Sequence, residues 1–229
     1  MLGTLLMSNA FDAITNSITR EFKRLRFAVL GRVHYLLRTG NMKFTFDRMY
    51  LENRDPWNYR YSKYERDKYD GTLGCALAWR NGQVGALELG CSIGVFTAMI
   101  SDHFEEVTGV DVSREALRTA AHYNRNRNNI SFRRCDMRSL ALGKKFDVIF
   151  CAEVLYYIRE RDAPTALQRL AEHLSPNGVI IFVAGTAGHN PTPFCWRATL
   201  AASFRQVFVE TVDDPVRPYE IAVFSQTTL

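Results

Sequence analysis

The sequence predicts an α/β domain built on a doubly wound, seven-stranded, mostly parallel sheet, preceded by a helical N-terminal extension. Two observations predict it. From residue 84 onward, short apolar runs alternate with segments of helical periodicity, the pattern of parallel strands joined by crossover helices. The first of those runs ends in a glycine turn, Leu89-Gly90-Cys91-Ser92-Ile93-Gly94, that leads directly into helix-compatible residues. A length of 229 residues with 47% hydrophobic and 12% aromatic content suits one well-buried domain and argues against a disordered chain.

Taken in order, residues 1–43 read as a basic amphipathic helical arm. Phe11, Ile14, Ile18, Phe22, Leu25, Val29, Val33 and Leu36 recur at three- and four-residue steps. Ser8 or Asn9 suits its start and Gly40-Asn41 its end. The arm carries seven Lys/Arg against two acids, so the chain's net charge of +5 resides there and the remainder balances. A membrane-surface or partner-binding helix is one reading of the arm. The favoured one is a helix packed on the domain, or an extension ahead of a translation start at Met42, because Asp12, Glu21 and Gly31 interrupt a dedicated membrane face.

Residues 44–80 precede the first strand and are rich in Tyr, Arg and acids; they are expected to form a lid belonging to the domain that runs from 44 to 229. Strand-like runs follow at 84–90, 106–111, 130–135, 146–151, 178–184, 206–212 and 220–225. Helical segments are expected at 94–103, 114–126, 162–174 and 192–203. No stretch of 18 uninterrupted apolar residues occurs, which argues against a transmembrane helix. The five cysteines are scattered without a C-x-x-C pair, as in a reduced, cytoplasmic protein. The five histidines are dispersed too, so no metal site is expected. A neutral domain behind a basic arm lowers the case for nucleic-acid binding.

Three chemistries can use the glycine turn. A dinucleotide fingerprint, G-x-G-x-x-G, fails because Ser92 and Val95 occupy its second and third glycine positions. A nucleophile elbow fits literally, since Gly90-Cys91-Ser92-Ile93-Gly94 is G-x-S-x-G, but no oxyanion-loop segment precedes it; His173 and His189 remain as late candidate bases. The third is a nucleoside cofactor without a pyrophosphate. Asp111 ends the second apolar run 21 residues after Gly90, the spacing at which an acid grips a ribose diol. Glu88 before the turn and Asp111 after it fit S-adenosylmethionine best.

Polar residues gather at the other strand ends. Asp136 and Met137 follow the third strand and suit an adenine, one as acceptor, the other by packing on the ring; a turn cap explains Asp136 equally well. Glu153 follows the buried run Phe146–Ala152 beside Tyr156 and Tyr157, where it can orient an acceptor amine or serve as a structural acid. Trp57 can stack on a ring and Arg60 can hold a carboxylate; a surface helix with ordinary ion pairs is the alternative.

The Glu88–Gly94 turn, Asp111, Cys135-Asp136-Met137, the Phe146–Glu153 run and Leu174-Ser175-Pro176-Asn177-Gly178 stand in an order that resembles class I S-adenosylmethionine-dependent methyltransferases. More narrowly, Phe46-Asp47-Arg48-Met49-Tyr50, Asp55-Pro56-Trp57-Asn58-Tyr59-Arg60, Leu87–Thr97 and Ala152-Glu153-Val154-Leu155-Tyr156-Tyr157 resemble the NodS-type nodulation methyltransferases. Residues 1–43 have no counterpart in that pattern. The resemblance implies a Rossmann-like sheet and N-methylation of a small-molecule amine, such as the free amine of a deacetylated chitooligosaccharide, with O-methylation as the alternative. It implies that Trp57 and Arg60 cover the methionyl end of the cofactor, that Gly90 passes beneath it, that Asp111 binds the ribose, and that Asp136 and Met137 hold the adenine. Glu88, Ser92 and Val112 are counted with these contacts. Glu153 and Tyr156 are the expected catalytic residues, and Tyr157 and His189 the expected substrate contacts.

Overall fold

The computed structural model describes residues 42–79, 85–186 and 194–226. Two helices come first, α1 (Met42–Glu52) and α2 (Lys63–Trp79), joined by a turn that carries Trp57. Then follow β1 (Gly85–Leu89), α3 (Val95–Ser101), β2 (Glu106–Asp111), α4 (Arg114–Tyr123), β3 (Ile130–Arg134), β4 (Phe146–Ala152), α5 (Ala163–His173), β5 (Leu174–Gly185), α6 (Trp196–Ala201), β6 (Arg205–Val212) and β7 (Tyr219–Ser225). The arm expected over residues 1–43 lies outside the described residues, except that Met42 and Lys43 form the first turn of α1.

The strands form one sheet in the order β3-β2-β1-β4-β5-β7-β6. β1 to β5 run parallel, and β7 lies antiparallel between β5 and β6. The chain steps outward from β1 to β2 and β3, then returns to β4 on the other side of β1. At that switch point the loops leaving β1 and β4 diverge, which opens a crevice at the carboxyl ends of the strands.

Strand periodicity assigns each side chain to a layer. Leu87, Leu89, Ile149, Cys151, Ile180 and Phe182 share one buried cluster with Ala166 and Leu170 of α5 and Leu200 of α6. Their alternates, Ala86, Val148, Phe150, Ile181 and Val183, share another with Tyr69 and Leu73 of α2 and Phe96 and Ile100 of α3. The centre of the sheet is therefore covered on both faces, which explains why β1, β4 and the second half of β5 read as continuous apolar runs.

The largest differences from the expected boundaries are at the starts of β5 and α6. β5 starts at Leu174, paired with Phe146, and the register shifts before Val148 meets Val179. Pro176 lies in the skipped stretch and has no N–H for the ladder, so the strand bulges there instead of beginning after it. α6 is shorter than the expected 192–203, beginning at Trp196.

Candidate functional site

The crevice is lined from the ends of four strands: Leu89 and Gly90 after β1, Val110, Asp111 and Val112 at β2, Cys135, Asp136 and Met137 after β3, and Ala152, Glu153 and Val154 at β4. Phe46 and Tyr50 of α1, with Trp57 and Tyr59 of the following turn, close it from above, and Tyr157 stands opposite.

The floor is the glycine turn. Gly90 and Cys91 both donate their N–H to Val110 O at 2.8 and 3.0 Å, and Gly94 N–H closes the turn onto Cys91 O at 2.9 Å. Gly90 (φ 72°), Ser92 (φ 51°) and Gly94 (φ 75°) all occupy the left-handed region. Glycine is required at 90 on packing grounds as well, because a Cβ there would lie 2.6 Å from Val154 Cγ2. Ser92 bears the cost of its backbone without that freedom, and two bonds offset it. Its N–H donates to Asp111 Oδ2 at 2.9 Å, and its hydroxyl shares a 2.5 Å bond with Tyr50 Oη.

Asp111 is thereby fixed from both sides, with Oδ1 accepting from Ser113 N–H at 2.8 Å. Burial pushes its carboxyl up to about 6, although the N–H groups of Ser113 and Ser92 pull the other way. α1 is tied to the same corner. Asp47 Oδ1 accepts from Ser113 Oγ at 2.7 Å, and Asp47 Oδ2 pairs with Arg134 at 3.2 Å. The sequence placed Phe46–Tyr50 within the expected lid and the family-like pattern, but gave Asp47 and Tyr50 no role of their own at this corner.

Asp136 caps the short 3₁₀ turn Met137–Ser139 and lines the crevice at once. Arg138 donates to it from its backbone, from Nε at 2.9 Å and from Nη2 at 2.6 Å. The Arg138 side-chain bonds hold the Asp136 carboxyl below its ordinary value, against the opposing effect of burial. The turn cap, one of the two readings of this residue, is what the structure shows, and the same side chain borders the crevice. Met137 is buried against the crevice wall.

Glu153 adopts a left-handed backbone (φ 53°) just beyond β4. Its Oε1 accepts from Lys68 Nζ at 3.3 Å and from Arg217 Nη2 at 3.2 Å, while Oε2 carries no intramolecular bond among the described residues. Lys68 also pairs with Glu65 Oε2 at 2.9 Å. Burial alone would push the Lys68 ammonium down, but the Glu153 and Glu65 carboxylates outweigh it and leave it raised. Arg217 donates from Nε to Tyr64 Oη at 3.2 Å. Lys68 and Arg217 were not anticipated; Lys68 looks like an ordinary i, i+3 helix partner of Glu65, and Arg217 reaches the site only through the fold.

Three expected site residues lie outside the crevice lining. Arg60 is exposed, its guanidinium 4.2 Å from the Tyr123 ring centroid. Glu88 shares the parity of Ala86, so it points into the layer under α2 and α3 and accepts from Thr97 Oγ1. Burial, opposed by that bond, pushes Glu88 up to about 8. Tyr156 packs behind Tyr157, ring centroids 4.6 Å apart. His189 lies outside the described residues.

The nucleophile-elbow reading finds no support here. Ser92 meets a tyrosine hydroxyl and not an imidazole. His173 ends α5 at the start of β5, the opposite edge of the sheet, and both its ring nitrogens are engaged: Nε2 accepts from Leu142 N–H at 3.0 Å and Nδ1 donates to Arg169 O at 2.7 Å. All five cysteines are free thiols. Among the described residues no cluster of His, Cys, Asp and Glu is arranged for a metal, and no helix is long and apolar enough to cross a membrane.

The profile of one family, Nodulation protein S (NodS), matches residues 41–199. Nodulation protein S of Bradyrhizobium diazoefficiens is 34% identical over 130 residues, 56% of this chain and 61% of the relative. Nodulation protein S of Azorhizobium caulinodans is 34% identical over 134 residues, 58% of this chain and 63% of the relative. The matched segment thus spans about three-fifths of the length of these relatives. The crystal structure of the N-methyltransferase NodS from Bradyrhizobium japonicum WM9, in complex with S-adenosyl-L-homocysteine, has the same fold, with a TM-score of 0.72 at 24% identity over 81% of this chain and 99% of that one.

Proposed function

The chain belongs to the NodS family, and from that premise we propose that it transfers a methyl group from S-adenosylmethionine to the amine of a small molecule, specifically the free amino group of a deacetylated chitooligosaccharide. The observation that carries the cofactor is Asp111, a carboxylate at a strand tip, lining the crevice and oriented by two backbone N–H groups.

The donor set fits an adenosyl group. Asp111 and Val112 take the ribose diol, Asp136 and Met137 frame the adenine, and Trp57 covers the methionyl end above Gly90 and Ser92. Arg60 and Glu88 act from outside the crevice, Arg60 by bracing the turn that carries Trp57 and Glu88 by holding α3 through Thr97. When bound, S-adenosylmethionine supplies a methyl group on a positively charged sulfur, already activated for displacement.

An amine attacks only with its lone pair free. Glu153 Oε2 accepts an N–H from the acceptor, which points the lone pair away from the carboxylate, and it stabilises the positive charge that develops on nitrogen. Tyr157 lines the acceptor side, with Tyr156 behind it. The remaining work is alignment and exclusion of water by the aromatic roof, which converts an encounter into a positioned displacement.

Calorimetric titration with S-adenosylhomocysteine tests the cofactor assignment. The protein binds it, and Asp111→Ala weakens binding by about tenfold or more, the loss expected when a buried, hydrogen-bonding carboxylate is removed. Absence of binding to the unaltered protein, or full binding by Asp111→Ala, overturns the reading.

A further inference from the structure

On the reading just given, we infer that Lys68 and Arg217 are positioning residues of the transfer site, holding Glu153 Oε1 between them so that Oε2 meets the acceptor nitrogen. The three side chains come from α2, from the loop before β7 and from the end of β4. They meet only because the sheet brings β4, β5 and β7 side by side.

The geometry is not that of pairing for stability. Arg217 approaches Glu153 with one nitrogen, Nη2, and spends Nε on Tyr64 Oη, so the bidentate fork an arginine offers a carboxylate is not used. Both cations converge on the same oxygen, which leaves the other without a partner among the described residues. The Lys68 side chain is 3% exposed and that of Glu153 13%. Removing such groups from water is costly, and a network retained only for stability is commonly matched by apolar packing.

Glu65 completes the charge balance, 2.9 Å from Lys68 and 4.0 Å from Arg217. Two carboxylates and two cations sum to zero. A neutral amine approaching Oε2 meets a hydrogen-bond acceptor whose charge Lys68 and Arg217 already balance, so the pull on an ammonium is weaker than that of an unpaired carboxylate. The arrangement therefore weakens the preference for the protonated acceptor, the form that cannot attack.

The test uses the full chain, S-adenosylmethionine and fully deacetylated chitotetraose as the acceptor probe. Removing Lys68 alone strands a buried acid, so it is changed together with its second partner, as Lys68→Met with Glu65→Gln. This pair and Arg217→Met each lower kcat by about tenfold or more while S-adenosylhomocysteine affinity stays within about twofold, and Arg217→Lys recovers most of the lost kcat. Variants that keep kcat within about twofold, a loss shared equally by S-adenosylhomocysteine binding, or an Arg217→Lys no better than Arg217→Met each overturn the inference. An unaltered protein that methylates neither chitotetraose nor glucosamine refutes the proposed acceptor and the inference with it. An active parent with indifferent variants refutes the inference alone.

Discussion

Glu88 and Asp111 flank the glycine turn in sequence and invite the same interpretation, and they share a face of the sheet because Glu88 pairs with Gly109, yet position along the strand separates their fates. Glu88 follows Ala86 into the covered layer, and Asp111 ends its strand at the crevice. Each is raised by burial. A carboxyl at about 8 in the folded state and 4.5 otherwise favours the protonated form on folding, so its contribution is whole below about 4.5 and is lost as pH rises through about 8. Thermal unfolding followed across that window falls toward alkaline pH, by an amount on the order of a few kcal/mol, and Glu88→Gln, a neutral isostere, flattens the dependence. An equal slope in the variant contradicts the assignment. Asp111, raised to about 6, becomes neutral below that value and ceases to be a charged acceptor for hydroxyls. S-adenosylhomocysteine affinity measured by calorimetry accordingly declines as pH drops through about 6, and Asp111→Asn shows a weak, pH-independent affinity instead.

At the scale of elements, the turn after β1 is held by packing as much as by backbone freedom. Gly90→Ala forces a left-handed alanine against Val154 Cγ2 and costs about 1–3 kcal/mol, read from denaturant unfolding. Val154→Ala in the same chain removes the collision and recovers part of that cost, leaving the backbone strain; additive losses contradict this account. The central strands were the readable elements, because burial on both faces made β1, β4 and the second half of β5 continuous apolar runs between turn residues. α1 and α2 were less so. Their buried positions are largely tyrosine, threonine and paired charges such as Tyr50, Thr72, Glu65 and Lys68, which give no apolar period. β5 began early for a reason the sequence does contain, Pro176, but a bulge and a strand start look alike before pairing is known.

At the scale of the whole molecule, what could be read locally was the part of the crevice built from strand ends, and what could not was the cluster around Glu153. Gly90, Asp111, Asp136 and Met137 each sit at a strand end, so the alternation of elements alone gathers them. Lys68, Glu153 and Arg217 converge through the return of β7 beside β5, and no spacing records that meeting. The charge distribution belongs to the same scale: the excess of basic residues lies in the first 43, while the remainder is balanced. Acceptor recognition therefore rests on local groups and not on a long-range field, and raising salt from about 0.05 to 0.5 M leaves the acceptor KM within about twofold. A steep rise in KM with salt contradicts that view.

The central claim is methyl transfer to nitrogen. Incubation with S-adenosylmethionine carrying a deuterated methyl group and fully deacetylated chitotetraose, followed by fragmentation mass spectrometry of the product, tests it directly. One deuterated methyl on a glucosamine nitrogen is the predicted result; label on a hydroxyl oxygen, or an unlabelled acceptor beside intact cofactor, contradicts it.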